Sequence, residues 1–245
     1  MRRLLDWLGF LRTVLFTLPL IYLSNVLLGV VWLLVFPFDH RARAQDALAQ
    51  LWAASILFIG GTRVRVRGNE NFQYASACVY VANHASYLDI PILLVHLPRG
   101  VRFLAKASLF HIPFVGWYLR RAGHLPVRGG PRANARRLLQ AVRYARSGHS
   151  LVVFPEGGRS LTGELQEFRH GVFLAALKAG VPIVPLTLVG TRRILPRYGW
   201  HWRPGRVTLV VDPPVETLGK KREELTALVE QVRGRIELNL QEVGP

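Results

Sequence analysis

The chain has 245 residues, the length of one domain with an appendage, and half of them are hydrophobic. A single cysteine, Cys78, excludes an internal disulfide, no Cys/His cluster has metal-ligand spacing, and no Gly-rich dinucleotide or P-loop pattern occurs. The net charge of +17 asks for anionic partners: nucleic acid, an anionic membrane surface or phosphate-bearing substrates.

The N-terminal region favours the membrane. Thr13 to Phe38 contains no charged residue and is bracketed by Arg12 and Asp39. At about 1.5 Å per residue this run is long enough to cross a hydrocarbon core. Pro19, Ser24 and Asn25 also suit a kinked helix lying in one leaflet. The run exceeds a signal-peptide core, and no small-x-small cleavage site follows it. Asp46 to Ile59 adds Leu48, Leu51, Trp52, Ile56, Leu57 and Phe58, and reads either as the return arm of a helical hairpin or as a helix packed on the following domain. The expected organisation is a membrane-associated helical segment over residues 1–61 and a catalytic domain over 62–245.

Beyond that boundary, strands and helices alternate. Arg63 to Arg67 alternates with period two, as a half-exposed strand does. Cys78 to Val81 is a short buried strand, with Cys78 a core residue, and Ile90 to Leu97 is an apolar helix with Pro91 in its first turn. Asp89 then falls at or near the N-cap, and His84 in the preceding loop. Val101 to Ala105 is a strand; Pro131 to Ser147 is a helix with Ala135, Leu138, Leu139 and Val142 on one side and Arg132, Arg136, Arg143 and Arg146 on the other. Leu151 to Phe154, Ile183 to Val189 and Val207 to Val211 are strands, Phe173 to Ala179 is helical, and Lys220 to Leu240 is an amphipathic helix through Leu225, Leu228, Val229, Val232 and Ile236. The alternation predicts an α/β domain, a mixed central sheet flanked by helices.

Two blocks carry chemistry. Asn83-His84-Ala85-Ser86-Tyr87-Leu88-Asp89 offers a base and a carboxylate to orient it. A neutral histidine can take the proton of an attacking alcohol, and a carboxylate on its other ring nitrogen fixes the tautomer. Phe154-Pro155-Glu156-Gly157-Gly158-Arg159-Ser160 offers a carboxylate, two glycines, a guanidinium and a hydroxyl. Between Asp89 and Glu156 there is no acidic residue but eleven cations. A base beside such a surface suits chemistry on a hydroxyl carried by an anionic substrate. Each block alone has a plain reading: Asp89 as a helix cap, His84 as a solvated loop histidine.

Taken together, and from about Thr62 to Pro214, these blocks resemble the glycerolipid acyltransferases, in particular bacterial 1-acylglycerol-3-phosphate acyltransferases. Four motifs stand in the family's order. His84 and Asp89 match the first. Lys106 with Leu109-Phe110-His111-Ile112-Pro113-Phe114-Val115-Gly116-Trp117, ending near Arg128, matches the second. Phe154 to Ser160 matches the third and Val181-Pro182-Ile183-Val184-Pro185 the fourth. Two departures stand out: Gly158 occupies a position where the family usually has Thr, and Val127-Arg128-Gly129 replaces a usual Asp-Arg ending.

The resemblance implies transfer of an acyl group from acyl-CoA or acyl-carrier protein to the free hydroxyl of 1-acylglycerol 3-phosphate, giving phosphatidic acid. His84 would be the base and Asp89 its support; Arg159 would hold the phosphate, with Lys106 and Arg128 adding charge. Glu156 and Gly157, with Ser160 and Pro182, would shape the acceptor site. Glu156 would bind hydroxyls or position Arg159, since a carboxylate facing a phosphate repels it. No cofactor beyond the acyl donor and no metal is expected. The expected partners are a lysophospholipid, an acyl thioester and an anionic membrane surface, with no nucleic acid, at the cytoplasmic face of a bacterial inner membrane. Two rivals stay open: another acceptor, such as a lyso-ornithine lipid or glycerol 3-phosphate, and a non-catalytic basic protein that binds membrane or nucleic acid.

Overall fold

Strand β1 (Thr62–Arg67) alternates exposed arginines with partly buried Val64 and Val66, while β2 (Val79–Ala82) is buried at every residue. The difference is that between the edge and the centre of a sheet. With β3 (Arg102–Lys106), β4 (Leu125–Val127), β5 (Leu151–Val153), β6 (Ile183–Val189) and β7 (Gly205–Val211), they form a seven-stranded sheet in the order β1-β7-β6-β2-β5-β3-β4. All neighbours pair in parallel except β6 and β7, which makes the sheet mixed, as the alternation predicts. The computed structural model describes residues 2–39, 43–73, 77–112, 115–127, 131–199 and 201–243, with the side chains of 2–6, 43, 73 and 131–138 excepted.

Period-two alternation sends the two faces of β2 into different cores. Tyr80 and Ala82 join a cluster with Ile56 and Leu57 of α3 (Arg43–Ile59) and Leu88, Ile92 and Leu93 in and around α4 (Asp89–His96). Val79 and Val81 face the other way. They meet Phe173 and Ala176 of α7 (Gly171–Ala179) and Leu228, Val229, Val232 and Ile236 of α9 (Leu225–Glu242). Each fully buried Val, Leu, Ile or Phe side chain among these contributes about 1.5–3 kcal/mol by leaving water.

The remaining helices are α5 (Val115–Arg121), α6 (Pro131–Arg146) and the single turn α8 (Thr191–Ile194). Among the described side chains of α6, Ala141, Val142 and Ala145 are buried in the core and Tyr144 packs against it. Leu139, expected inside, is 54 % exposed, because the buried stripe runs one step further round the helix. Arg143 and Arg146 are exposed as expected, and the side chains of Arg132, Ala135, Arg136 and Leu138 lie outside the described residues.

At the N-terminus, α1 (Arg2–Arg12), a π-helical turn (Thr13–Thr17) and α2 (Leu18–Val35) run on as one rod. Its stretch Trp7–Val35 has 29 residues, about 44 Å at the usual rise, and is long and apolar enough to cross a membrane. The π turn has a local cause. The hydroxyl of Thr13 donates to the Gly9 carbonyl (2.8 Å) and accepts from the Trp202 N–H (3.2 Å), drawing the ladder towards a loop of the α/β domain. Pro19 lies inside this continuous rod, where it cannot donate to the ladder, and the π turn stands just before it. The polar residues Ser24 and Asn25 face α3: Ser24 Oγ is 2.8 Å from Ser55 Oγ, and the Trp52 indole donates to Asn25 Oδ1 (2.7 Å). Helix α3 therefore does both things the sequence allowed, pairing with α2 and burying Ala53, Ile56 and Leu57 inward. A bond between Arg102 of β3 and both carboxylate oxygens of Asp46 (3.0 Å each) ties α3 to the sheet.

Candidate active site

Five strands, β6, β2, β5, β3 and β4, run parallel, so their carboxyl ends share one edge of the sheet. In open α/β sheets that edge is where ligands bind. The chain leaves β2 there into the His84 loop, β5 into the Glu156–Ser160 segment, and β3 at Lys106.

The His84 loop is fixed by hydrogen bonds to its own fold. Asn83 acts as a piece of extra backbone: its amide donates to the Leu188 carbonyl (3.0 Å) and accepts from the Leu188 N–H (2.7 Å), locking the end of β2 to β6. The Ser86 hydroxyl donates to the Leu195 carbonyl (2.6 Å) and accepts from the Leu88 N–H (3.1 Å). Asp89 opens α4 one residue after its N-cap, Leu88, and is fully buried (0 % exposed). Its carboxylate does not cap the helix, as its position at the helix start suggested. It turns back into the loop, where Oδ2 accepts from the N–H groups of Ala85 and Ser86 (2.8 Å each) and lies 2.8 Å from His84 Nδ1.

That contact sets the histidine's tautomer. A carboxylate can only accept, so Nδ1 carries the proton and Nε2 presents a lone pair. The ring is also stacked on Phe154, with centroids 4.1 Å apart and planes inclined by 19°. The outcome is an imidazole held at one nitrogen and one face, with the other nitrogen available as a base.

The second block holds the first by its main chain. Glu156 Oε1 accepts from the His84 N–H (2.7 Å), Oε2 accepts from the Gln166 N–H (3.1 Å), and the Ser160 N–H donates to the His84 carbonyl (2.8 Å). Burial raises the Glu156 carboxyl above the usual range, and the two N–H donors oppose that rise. Among the described residues Glu156 makes no ion pair with Arg159; its carboxylate steadies the peptide that carries His84. The buried Ser160 hydroxyl accepts from the Gly163 N–H (2.9 Å), closing the turn that follows.

Gly157 is required by its backbone. Its φ of +75° is left-handed, and a Cβ there would stand 2.5 Å from the guanidinium carbon of Arg169. Gly116 of the second motif is required by space, since a Cβ would meet the Phe110 carbonyl oxygen at 2.1 Å. Arg159 lies over the ring of Tyr87, 3.5 Å from its centroid, and donates to the Arg197 carbonyl (3.2 Å). Among the described residues no carboxylate pairs with it.

His84, Asp89, Glu156, Gly157, Arg159 and Ser160 are thus brought together. Lys106 is exposed at the same edge, at the end of β3. Arg128 lies outside the described residues. Pro182, expected to shape the acceptor site, sits elsewhere: it precedes β6, at the amino end of the strand, and its carbonyl accepts from the first residue of β2, Val79 (2.9 Å). Seven residues of strand, about 20 Å, separate it from the carboxyl edge. Three contributors had no assigned role from sequence. Phe154 and Tyr87 stand inside the quoted blocks, where an aromatic next to a base was the available signal; Arg197 is brought in from a distant loop and left none. Among the described residues no group of His, Cys, Asp and Glu could hold a metal ion.

The acyltransferase family model matches residues 63–189, just over half of the chain and both blocks. A chloroplastic 1-acyl-sn-glycerol-3-phosphate acyltransferase of Brassica napus is 39% identical over 165 residues, which cover 66% of this chain and 47% of that protein. The 1-acyl-sn-glycerol-3-phosphate acyltransferase of Borreliella burgdorferi is 30% identical over 188 residues, covering 76% of this chain and 75% of that protein. The chain spans about half the length of the Brassica, Chlamydomonas and Arabidopsis relatives it matches. The crystal structure of the 1-acyl-sn-glycerophosphate acyltransferase PlsC of Thermotoga maritima superposes with a TM-score of 0.80 at 28% identity, over 99% of this chain and 98% of that one. With its base and carboxylate inside the matched region and its fold shared end to end with a solved member, the chain belongs to the acyltransferase family.

Proposed function

We propose that the protein is a 1-acyl-sn-glycerol-3-phosphate acyltransferase that makes phosphatidic acid. The observation that carries this reading is one site in which an oriented base, His84 on Asp89, stands with a guanidinium, Arg159, that has no carboxylate partner among the described residues. The relatives named for this activity support it. A protein that only bound membrane or nucleic acid would have no use for a histidine held in one tautomer.

In this reading Arg159 takes the phosphate in a two-pronged contact, and Lys106 adds charge at the rim. The free glycerol hydroxyl then lies at His84 Nε2. As its oxygen attacks the thioester carbonyl carbon, its proton passes to Nε2, and the buried Asp89 carboxylate stabilises the imidazolium. The tetrahedral intermediate collapses with loss of the thiolate, which takes the proton back from Nε2. Ester and thiol are the products, with no covalent enzyme intermediate and no cofactor beyond the donor, acyl-CoA or acyl-carrier protein.

Residues 1–61 serve as the membrane-associated segment and 62–245 as the catalytic domain. The rod Trp7–Val35, almost none of it buried in the protein, supports membrane association, and the charge of +17 suits an anionic surface. The cytoplasmic face of a bacterial inner membrane would supply both the lipid and the thioester. The test is purified full-length protein in detergent with 1-acylglycerol 3-phosphate and either donor. Phosphatidic acid, followed by mass spectrometry, is the expected product; acylation of other lysolipids alone would overturn the acceptor assignment.

A further inference from the structure

Arg159 is not the only guanidinium at this place. Arg197 and Arg159 are docked on each other reciprocally: Arg159 Nη1 donates to the Arg197 carbonyl, and Arg197 Nη1 donates to the Arg159 carbonyl (2.5 Å). Each side chain thereby fixes the main chain that carries the other. The loop bearing Arg197 is pinned to the base as well, because the Leu195 carbonyl accepts the Ser86 hydroxyl two residues from His84. Further along, the Arg203 N–H closes on the Ile194 carbonyl (2.9 Å).

The charge pattern is unusual for a purely structural pair. Among the described residues neither arginine has a carboxylate within ion-pair distance. Arg159 faces the Tyr87 ring and Arg197 approaches the exposed ring of Tyr198, 5.2 Å from its centroid. The Nε of Arg197 is buried and has no hydrogen-bond partner among the described residues. Buried guanidinium N–H groups are ordinarily satisfied, and two cations brought to one place without a carboxylate between them favour an anion there. A doubly charged anion bound by the remaining Nη N–H groups of both would neutralise that charge.

We propose that Arg197 is a specificity-determining residue that pairs with Arg159 to recognise the acceptor's phosphate as a monoester dianion. This rests on the reading of the acceptor as 1-acylglycerol 3-phosphate. A phosphomonoester carries about −1.5 to −2 charges at pH 7, whereas a diester carries a single one. One guanidinium suffices for the diester; the second is matched only by the monoester's extra charge and oxygen. In the acceptor, phosphorus lies a few covalent bonds from the reacting hydroxyl, which agrees with a loop tied to Ser86.

The experiment compares 1-oleoylglycerol 3-phosphate with the same molecule bearing a methyl ester on its phosphate, at fixed donor concentration. Wild-type protein should favour the monoester, and Arg197→Gln should lower kcat/KM for it by about ten- to a hundred-fold, the worth of a charged hydrogen bond. The methyl ester should lose only a few-fold, so the preference collapses, while donor KM stays put; the lost bond to the Arg159 carbonyl should lower Tm, an effect that falls on both acceptors alike and leaves their ratio to report the charge. Equal losses on both acceptors, an intact preference, or a raised donor KM would overturn the role of Arg197. Arg197→Lys keeps the charge and the stem and should keep the preference, and it decides the matter if the glutamine variant does not fold: a lysine variant with no preference sinks the idea. Wild-type protein that fails to acylate the monoester at all would instead refute the acceptor assignment, and that is seen before any variant is made.

Discussion

The imidazole of His84 lies flat on the ring of Phe154, 4.1 Å between centroids, while its edge is fixed by Asp89. A hydrogen bond at Nδ1 restrains the ring's direction but not its rotation about that bond; the stack removes the second freedom. Phe154→Leu keeps the apolar volume and loses the flat surface. An aromatic pair is worth about 0.5–1.5 kcal/mol beyond its area, so kcat should fall roughly two- to ten-fold. Acceptor and donor KM should hardly move. Steady-state kinetics on both substrates checks this, and a changed acceptor KM with unchanged kcat would contradict it.

His84→Ala and Asp89→Asn should not be equivalent. Removing the base forfeits general-base catalysis, typically about 10²–10⁴-fold, with fold and membrane association retained. Asparagine in place of Asp89 can keep an oxygen at the position of Oδ2, where His84, Ala85 and Ser86 converge, and so preserve the loop. Its amide group would occupy the place of Oδ1, which is buried and has no hydrogen-bond partner among the described residues. What is lost is the charge opposite the imidazolium. Asp89→Asn should therefore retain a measurable rate above His84→Ala; equal rates for the two would mean that the carboxylate does more than orient and stabilise.

The legibility of this site from sequence was uneven, for physical reasons. Strand β6 is an apolar run broken only by Thr187 and buried along its whole length, and its range was readable from that run alone. Strand β4 is three residues with Pro126 in the middle, and α8 is a single turn; neither is long enough to show a period. His84 and Asp89 were readable because the chemistry they share is local. Pro182 was misplaced because motif order along a chain does not say which end of a parallel strand a residue occupies. Arg197 reaches Arg159 across 38 residues of chain, through a loop whose course only the fold determines.

The two glycines of the second block should respond in opposite ways. Gly157→Ala puts a side chain at φ +75° and against Arg169, so it should destabilise the protein by about 1–2 kcal/mol or more and disturb the segment that holds His84. A Cβ at Gly158 meets nothing within 4 Å, and its φ is not left-handed. Gly158→Thr, which installs the residue usual in the family, should be tolerated, and by restricting the unfolded chain should add a few tenths of a kcal/mol. Melting temperatures and rates of the two variants check both halves. A loss of activity in Gly158→Thr as large as that in Gly157→Ala would show that the second glycine is needed by the substrate.

Away from the site, His124 should make stability depend on pH. It is 5 % exposed; its Nδ1 accepts from the Phe103 N–H (2.9 Å) and its Nε2 lies 3.3 Å from the Tyr118 hydroxyl, so the neutral ring is the one that fits. Burial, with the Arg102 charge adding to it, pushes its pKa down to about 3. In the unfolded chain the same ring titrates near 6.5. The sign follows: below about pH 6.5 the unfolded state takes up a proton that the folded state refuses, so stability falls as pH falls, by up to about 1.4 kcal/mol per unit, until the folded ring protonates near 3. Above pH 6.5 the residue contributes no pH dependence. His124→Asn offers an amide oxygen to the Phe103 N–H and cannot titrate. It should be less stable than wild type at pH 7, with a gap that narrows as the buffer is taken from pH 6.5 towards 4. Denaturant unfolding of both proteins at matched pH in detergent measures that gap, and a gap independent of pH would mean that His124 keeps its ordinary affinity for the proton inside the fold.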